Sequence, residues 1–480
     1  FGRAWRRYAR RRRASAAPAD RLTDGHEPSV SVRQRRGSIS VDEVRAAVDR
    51  DGRCVERAQA RFRLSARALE AADESERRDR PAPAERRGLV FAIGSCMYPP
   101  GLFDRPVAQA AYARLSRRLG AEGAADEPGL LLLLGDQVYV DDTAGLFEPT
   151  PAGDRYSRPY ALTFELDAAR DVMRRLPVYP MLDDHEFVDD WEHGRVADVD
   201  ECRRALGKYQ RWQHQLIEND TPIRDDYRYW LQPAGLPMIV LDTRSGRSGR
   251  ALTAGLYEGR RLPSIDEAQL IPHRALDEIL DKLKQGWSDE TPKLIASSSA
   301  LFPLRHEALS GDPGDRLSLD DWGGYPATWT AVLRGIHARK IRNVIFLAGD
   351  LHVSLVSSMR LQAPDAAGPD DAVVVHAIVS SGLHSPWPFA NTRPEELMTD
   401  GAFRLPDPLA GVEAGAGTAL EARIVTHGLS TGNGFAIARL DPETGGAWRL
   451  TVTFDMVPDT QSAVWTRTLA PWDAWTRVPG

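Results

Sequence analysis

Leu130-Leu131-Leu132-Leu133-Leu134-Gly135-Asp136-Gln137-Val138-Tyr139 is the stretch on which the architecture turns. Its five leucines form a continuous apolar run that Gly135 and Asp136 close, the form of a strand buried on both faces. The same form recurs along the chain. Phe91-Ala-Ile-Gly leads into Ser95 and Cys96. Val178-Tyr-Pro-Met-Leu leads into Asp183-Asp184-His185-Glu186, and Val344-Ile-Phe-Leu-Ala-Gly into Asp350-Leu351-His352.

Strands are expected at Leu89 to Ile93, Leu130 to Leu134, Val178 to Leu182, Met238 to Leu241, Leu294 to Ala296 and Val344 to Leu347. Helical patterns separate them at Pro106 to Leu119, Phe164 to Leu176, Glu201 to Ile217, Ile265 to Leu283 and Ala327 to Ala338. Alternating apolar strands and helices make an α/β layered domain. Past Gly349 the pattern changes to strands with few helices between: Val353 to Met359, Val373 to Val379, Ala422 to Val425, Phe435 to Leu440 and Trp448 to Phe454. These predict a second, partly antiparallel sheet packed on the first. Ser385 to Thr418 reads as a Pro/Gly-rich insertion.

Residues 1–38 read as a disordered arm, with seven arginines among the first thirteen residues and no apolar stretch after them. Residues 39–86 read as a helical extension and linker. Ser40 and Glu43 have capping-box spacing, Val44, Val48, Val55, Ala58 and Phe62 recur at helical spacing, and Arg80-Pro-Ala-Pro-Ala closes the segment. Residues 87–480 then form the main domain.

The 480-residue chain is long enough for a large core, and its net charge of -6 does not suggest a nucleic-acid partner. No apolar run approaches the ~18 residues of a membrane span. Cys54, Cys96 and Cys202 are too sparse for a disulfide framework. A reducing compartment follows, and a cytoplasmic location is expected.

Open α/β sheets bind ligands at the carboxyl ends of their strands. Four strands that deliver Asp, His and Cys to one edge build a candidate metal site. Clustered carboxylates repel each other and are costly to desolvate, and a cation relieves both costs. Taken singly, the residues have other readings. Asp136 could satisfy loop amides, Cys96 could be a small buried hydrophobe, and Tyr139 could be core with its hydroxyl bonded at the surface. Asp183-Asp184-His185-Glu186 is poor core design and favours a site. Asp350 and His352 would share one side if extended.

Gly94-Ser-Cys96, Gly135-Asp-Gln-Val-Tyr-Val-Asp141, Asp183-Asp-His-Glu186, Leu241-Asp-Thr-Arg244 and Gly349-Asp-Leu-His352 occur in one order. Together they resemble the alkaline phosphatase D (PhoD-like) branch of the calcineurin-like metallophosphoesterases. The resemblance covers about Leu89 to Met359. It implies an α/β fold, an αββα sandwich of two mixed sheets flanked by helices, with a dinuclear metal site. By position, Asp136 would bridge the metals and Asp184 would bind the second. Asp350 and His352 would be further ligands, with Asp350 standing where the superfamily has a first His. Cys96 and Tyr139 match iron-binding positions. His185 would contact the phosphate and protonate the leaving group. A thiolate and a phenolate suit Fe(3+), with Ca(2+) as companion; Zn, Mn and Mg are the alternatives.

Arg244 has two readings, a guanidinium on the phosphate or an ion-pair partner of nearby carboxylates. His214 and His384 read as structural, and His306 has no strand placing it at the edge. The function expected is hydrolysis of a phosphate ester, mono- or diester, by a metal-activated hydroxide. The alternative is a phosphoesterase-fold scaffold that acts in protein binding.

Overall fold

The structure, a computed structural model, describes residues 87–100, 105–120, 126–141, 156–192, 199–214, 226–257, 259–303, 312–364, 371–385, 397, 400–405, 420–457, 462–469 and 476–478. The expected arm over 1–38, the extension over 39–86 and His306 lie outside them.

In chain order the strands are β1 (Leu89–Met97), β2 (Leu131–Leu133), β3 (Val178–Pro180), β4 (Tyr229–Leu231), β5 (Met238–Val240), β6 (Gly255–Tyr257), β7 (Arg260–Leu262), β8 (Lys293–Ala296), β9 (Val344–Ala348), β10 (Val353–Gln362), β11 (Val373–Val379), β12 (Gly382–His384), β13 (Asp400–Leu405), β14 (Leu420–Thr431), β15 (Asn433–Pro442), β16 (Trp448–Val457), β17 (Ala463–Thr468) and β18 (Thr476–Val478). The leucine run shows why these strands are apolar throughout. Leu130, Leu132 and Leu134 enter one hydrophobic core, while Leu131 and Leu133 enter another. Side chains alternate across a strand, so a strand covered on both faces needs apolar residues at every position. Phe91 and Ile93 of β1 join the first core and Ala92 the second. Each buried Leu contributes roughly 1.5–3 kcal/mol.

Among the described residues the strands form two eight-stranded mixed sheets and the β6–β7 hairpin. The first sheet runs β18-β17-β16-β15-β1-β2-β3, with β12 also paired to β1. The second runs β13-β14-β10-β11-β9-β8-β5-β4. Parallel pairing joins β1, β2 and β3 in the first sheet, and β5, β8, β9 and β11 in the second.

This corrects the expected division of strands. Early and late strands do not separate into two sheets. Each sheet has a parallel half from the βα part of the chain and an antiparallel half from the later part. Phe91, Leu132, Phe346, Val375, Ile424 and Val452 share the core that both sheets line. Tyr112, Leu115, Val172, Met173, Tyr209 and Trp212, on three helices, belong to the core on the other side of β2.

The helices differ from expectation in detail. Pro106 to Leu119 divides at Gln109 into Arg105–Ala108 and Ala110–Arg118. The pattern read as Phe164 to Leu176 divides into Arg158–Phe164 and Asp167–Arg175, because Leu166 is extended at the junction. The helix expected from Ile265 begins only at His273, immediately after Pro272. The residue before a proline is driven out of the helical region, which ends any helix running into it. β13 lies inside the stretch read as an insertion. No described helix is long and apolar enough to cross a membrane.

Gly428 on β14 meets Trp465 on β17, where one sheet packs on the other. A Cβ at Gly428 would stand 1.9 Å from the indole ring. Gly428→Ala is therefore expected to lower stability by about 1–3 kcal/mol through overpacking. A urea midpoint equal to that of the parent chain would contradict this packing.

Candidate metal centre

The parallel halves of the two sheets end at a common edge. β1 brings Cys96, the loop after β2 brings Asp136 and Tyr139, and the loop after β3 brings Asp183, Asp184 and His185. From the second sheet, β5 leads to Asp242 and Arg244, and β9 leads to Asp350 and His352. The edges interlock closely. A Cβ at Gly135 would stand 2.5 Å from the Asp183 Cβ, and one at Gly349 would stand 2.4 Å from the Ser95 Cβ. Gly135 also has φ +89, so glycine is required there twice over.

Cys96, Asp136, Asp350 and His352 all have positive φ, between 47 and 65. Side chains other than glycine enter this region at a cost of order 1–3 kcal/mol each, and such residues cluster at functional sites. The Asp350–His352 segment is therefore not extended, and the condition under which alternation would put both side chains on one side is not met. Two left-handed residues aim its side chains instead of the alternation of a strand.

The side chains converge. The Cys96 thiol donates to Asp136 Oδ2 at 3.8 Å, and the Tyr139 hydroxyl donates to the same oxygen at 3.3 Å. Tyr139 Oη lies 3.4 Å from His352 Nε2. Ser385 Oγ, 2.9 Å from His352 Nδ1, fixes that ring from behind. Ligand atoms of Asp136, Asp184 and His185 lie within 4.8 Å of one another, as do those of Asp136, Asp183 and Asp350. Asp136 thus belongs to both groups. A third acidic group joins Asp184 to Asp189 and Asp190.

Burial dominates the electrostatics. It pushes the Asp136 carboxyl well above the carboxylate range, and Asp183, Asp184 and Glu186 add to the rise against the opposing pull of His185. Burial raises Asp183 to about 6 although the Arg244 guanidinium pulls it down. The Cys96 thiol and the Tyr139 phenol are also pushed up, first by burial and then by neighbouring negative charge. Both keep their protons unless a cation arrives. Burial lowers the His185 imidazole, but Asp141, Asp184 and Asp136 outweigh it and hold the ring well above its ordinary value.

The residues fit a cation. Asp183 Oδ2 is buried and accepts no hydrogen bond among the described residues, yet Asp183 belongs to the group with Asp136 and Asp350. An orphaned carboxylate oxygen beside two further acids is what a metal ligand looks like before its ion binds.

Arg244 is fully buried. Its Nε donates to Asp183, and its Nη2 lies 3.3 Å from Asp184 and 2.6 Å from Asp320. Asp320 also pairs with Arg247 at 2.6 Å. Of the two readings for Arg244, the structure displays the ion pair. Asp242 caps its own loop, accepting from the amides of Tyr227, Arg244 and Ser245.

All eight residues singled out from the sequence lie at this edge: Cys96, Asp136, Tyr139, Asp184, His185, Arg244, Asp350 and His352. Four contributors were missed. Asp183 stands directly before Asp184 in the same acidic run, and Asp141 closes the stretch that begins at Gly135. Asp141 holds His185 Nδ1 at 2.9 Å and accepts from the Asp189 amide at 2.6 Å. Nothing in the local sequence marks Ser385 or Asp320. His214 bonds the Tyr227 carbonyl at 3.2 Å, while His384 is buried at the end of β12, whose register pairs it with Met97.

Residues 107–404 match the family model described as PhoD-like phosphatase, well over half of the chain. Alkaline phosphatase D of Bacillus subtilis (strain 168) is 27% identical over 194 residues, which are 37% of this chain. That match spans only 31% of the relative's length. The solved structure of PhoD superposes with a TM-score of 0.54 at 17% identity, covering 83% of this chain and 73% of the other. At that identity the likeness is one of fold. With the family model matching more than half of its length, the chain belongs to the PhoD-like phosphatase family.

Proposed function

We propose that this protein is a metal-dependent hydrolase of phosphate esters, with a calcineurin-like αββα arrangement and a dinuclear centre. The observation that carries the reading is the membership of Asp136 in both acid groups, which suits a carboxylate bridging two ions. Cys96, Tyr139 and His352 gather on one side of Asp136, and Asp184 and Asp350 complete the set. Asp183 joins them through its orphaned oxygen. Bound there, two cations would neutralise the acids, polarise the ester phosphate and supply a hydroxide nucleophile at neutral pH. Ionising both a buried thiol and a buried phenol takes a strong Lewis acid, which favours Fe(3+) beside Cys96 and Tyr139. The all-oxygen carboxylate side suits Ca(2+).

The chain's own residues then handle charge and protons. His185 is 17% exposed at its side chain, so it can meet a substrate. Asp141 holds Nδ1, and Nε2 lies 3.8 Å from Asp189 Oδ1. The pairing of Nδ1 with the Asp141 carboxylate favours the protonated ring that a donor to the leaving oxygen requires. Arg244, itself paired with Asp320, holds Asp183 and Asp184 from behind.

His185→Ala should lower kcat by about 10²–10⁴ on esters of poorly acidic alcohols, and much less on esters with an acidic phenol leaving group. Asp141→Asn should show the same selectivity in weaker form. Equal losses on both kinds of ester would remove His185 from the role of acid. The purified protein should also absorb visible light through charge transfer from phenolate and thiolate to ferric ion, and Tyr139→Phe should change that band. A colourless wild type carrying stoichiometric zinc would overturn the iron assignment.

A further inference from the structure

Glu186 ends the acidic run after β3 but belongs to none of the acid groups that could hold a metal. Its carboxylate is buried and fully engaged. Oε2 accepts from the backbone amides of Asp136 at 3.2 Å and Asp183 at 3.0 Å. Oε1 accepts from the amide of Gln137 at 2.8 Å and from Gln213 Nε2 at 3.2 Å. All four partners are N–H donors. A carboxylate, with acceptor sites on both oxygens, suits such a surround.

Three of these donors belong to the backbone that carries the candidate ligands. The opposite side of the same loop is also held. Gly135 O accepts from Cys96 N at 3.2 Å, and Asp136 O accepts from Met97 N at 2.7 Å. The loop after β2 is thus fixed through its carbonyls by β1 and through its amides by Glu186. Asp136 has φ +54, a conformation that persists only when its surroundings impose it.

We propose that Glu186 is the positioning residue of the metal centre. It bolts the loop after β2 to the loop after β3 and so sets the separation of Asp136 from Asp183 and Asp184. This rests on the reading of those acids as metal ligands. Residues that orient ligands in this way typically cost 10–100-fold in metal affinity or activity when replaced.

Glu186→Gln tests it, because glutamine keeps the size but offers one acceptor where two are needed. Amide hydrogen exchange in the wild type should show slow exchange at Asp136, Gln137 and Asp183. In Glu186→Gln these amides should exchange faster while those of β9 stay protected. The manganese(II) dissociation constant, read by equilibrium dialysis, should rise about 10–100-fold. At saturating manganese, kcat should fall with KM unchanged. Fast exchange at the three amides in the wild type would overturn the proposal even if the variant does not fold. So would a variant that binds manganese as the wild type does. A wild type that binds manganese but cleaves no ester would sink the hydrolase reading, and the exchange and binding results would still decide the place of Glu186.

Discussion

Mutual repulsion among buried carboxylates is the constraint around which this fold is arranged. Asp136, Asp183, Asp184 and Asp350 meet where two sheets end, and the first three are nearly excluded from water. Two unit charges at 4 Å interact by about 4 kcal/mol at an effective dielectric of 20. Arg244 offsets part of this from beneath, supported by Asp320 and Arg247. Burial, together with the remaining repulsion, holds the Asp136 and Asp183 carboxyls above their ordinary range. Bound cations reverse that balance. The crowd of acids is unfavourable in the metal-free chain and favourable once ions are present, which is how a fold can keep such a cluster.

The scaffold answers this demand with rigidity. β1, β2 and β3 from one sheet and β5, β8 and β9 from the other end at the same edge. The acids are then carried on short connections from buried strands. Left-handed residues at Cys96, Asp136, Asp350 and His352 redirect side chains that a plain strand ending would point elsewhere. Behind them, hydrogen bonds from Asp141, Ser385 and Glu186 lock a ring, a second ring and a backbone segment. Because neighbouring loops share these bonds, the position of each candidate ligand depends on more than one strand.

Much of this was legible in the sequence, for a physical reason. Strands covered on both faces must be apolar throughout, so they stand out as runs such as Leu130 to Leu134. Polar residues directly after such runs land at a strand end, which is how Cys96, Asp136, Asp184, His185, Asp350 and His352 could be named. Long-range pairing leaves no such local mark. β15 beside β1 brings together segments far apart in the chain, so the division of strands between sheets differs from expectation. Asp320 and Ser385 reach the site from loops with no periodicity. Nothing in Asp-Leu-His requires φ above zero, so the left-handed turn at Asp350–His352 leaves no local mark. Adding Asp183 to Asp184 needed the orphaned oxygen, which only the three-dimensional structure reveals.

Anomalous diffraction from crystals of the protein as purified is the most direct test of the claim that this acidic edge is a metal centre organised on Asp136. The account predicts two anomalous peaks, both within coordination distance of the Asp136 carboxylate, with Cys96 and Tyr139 on the heavier scatterer. Crystals of metal-saturated protein with no peak at this edge, or with an ion bound there that Asp136 does not touch, would contradict it.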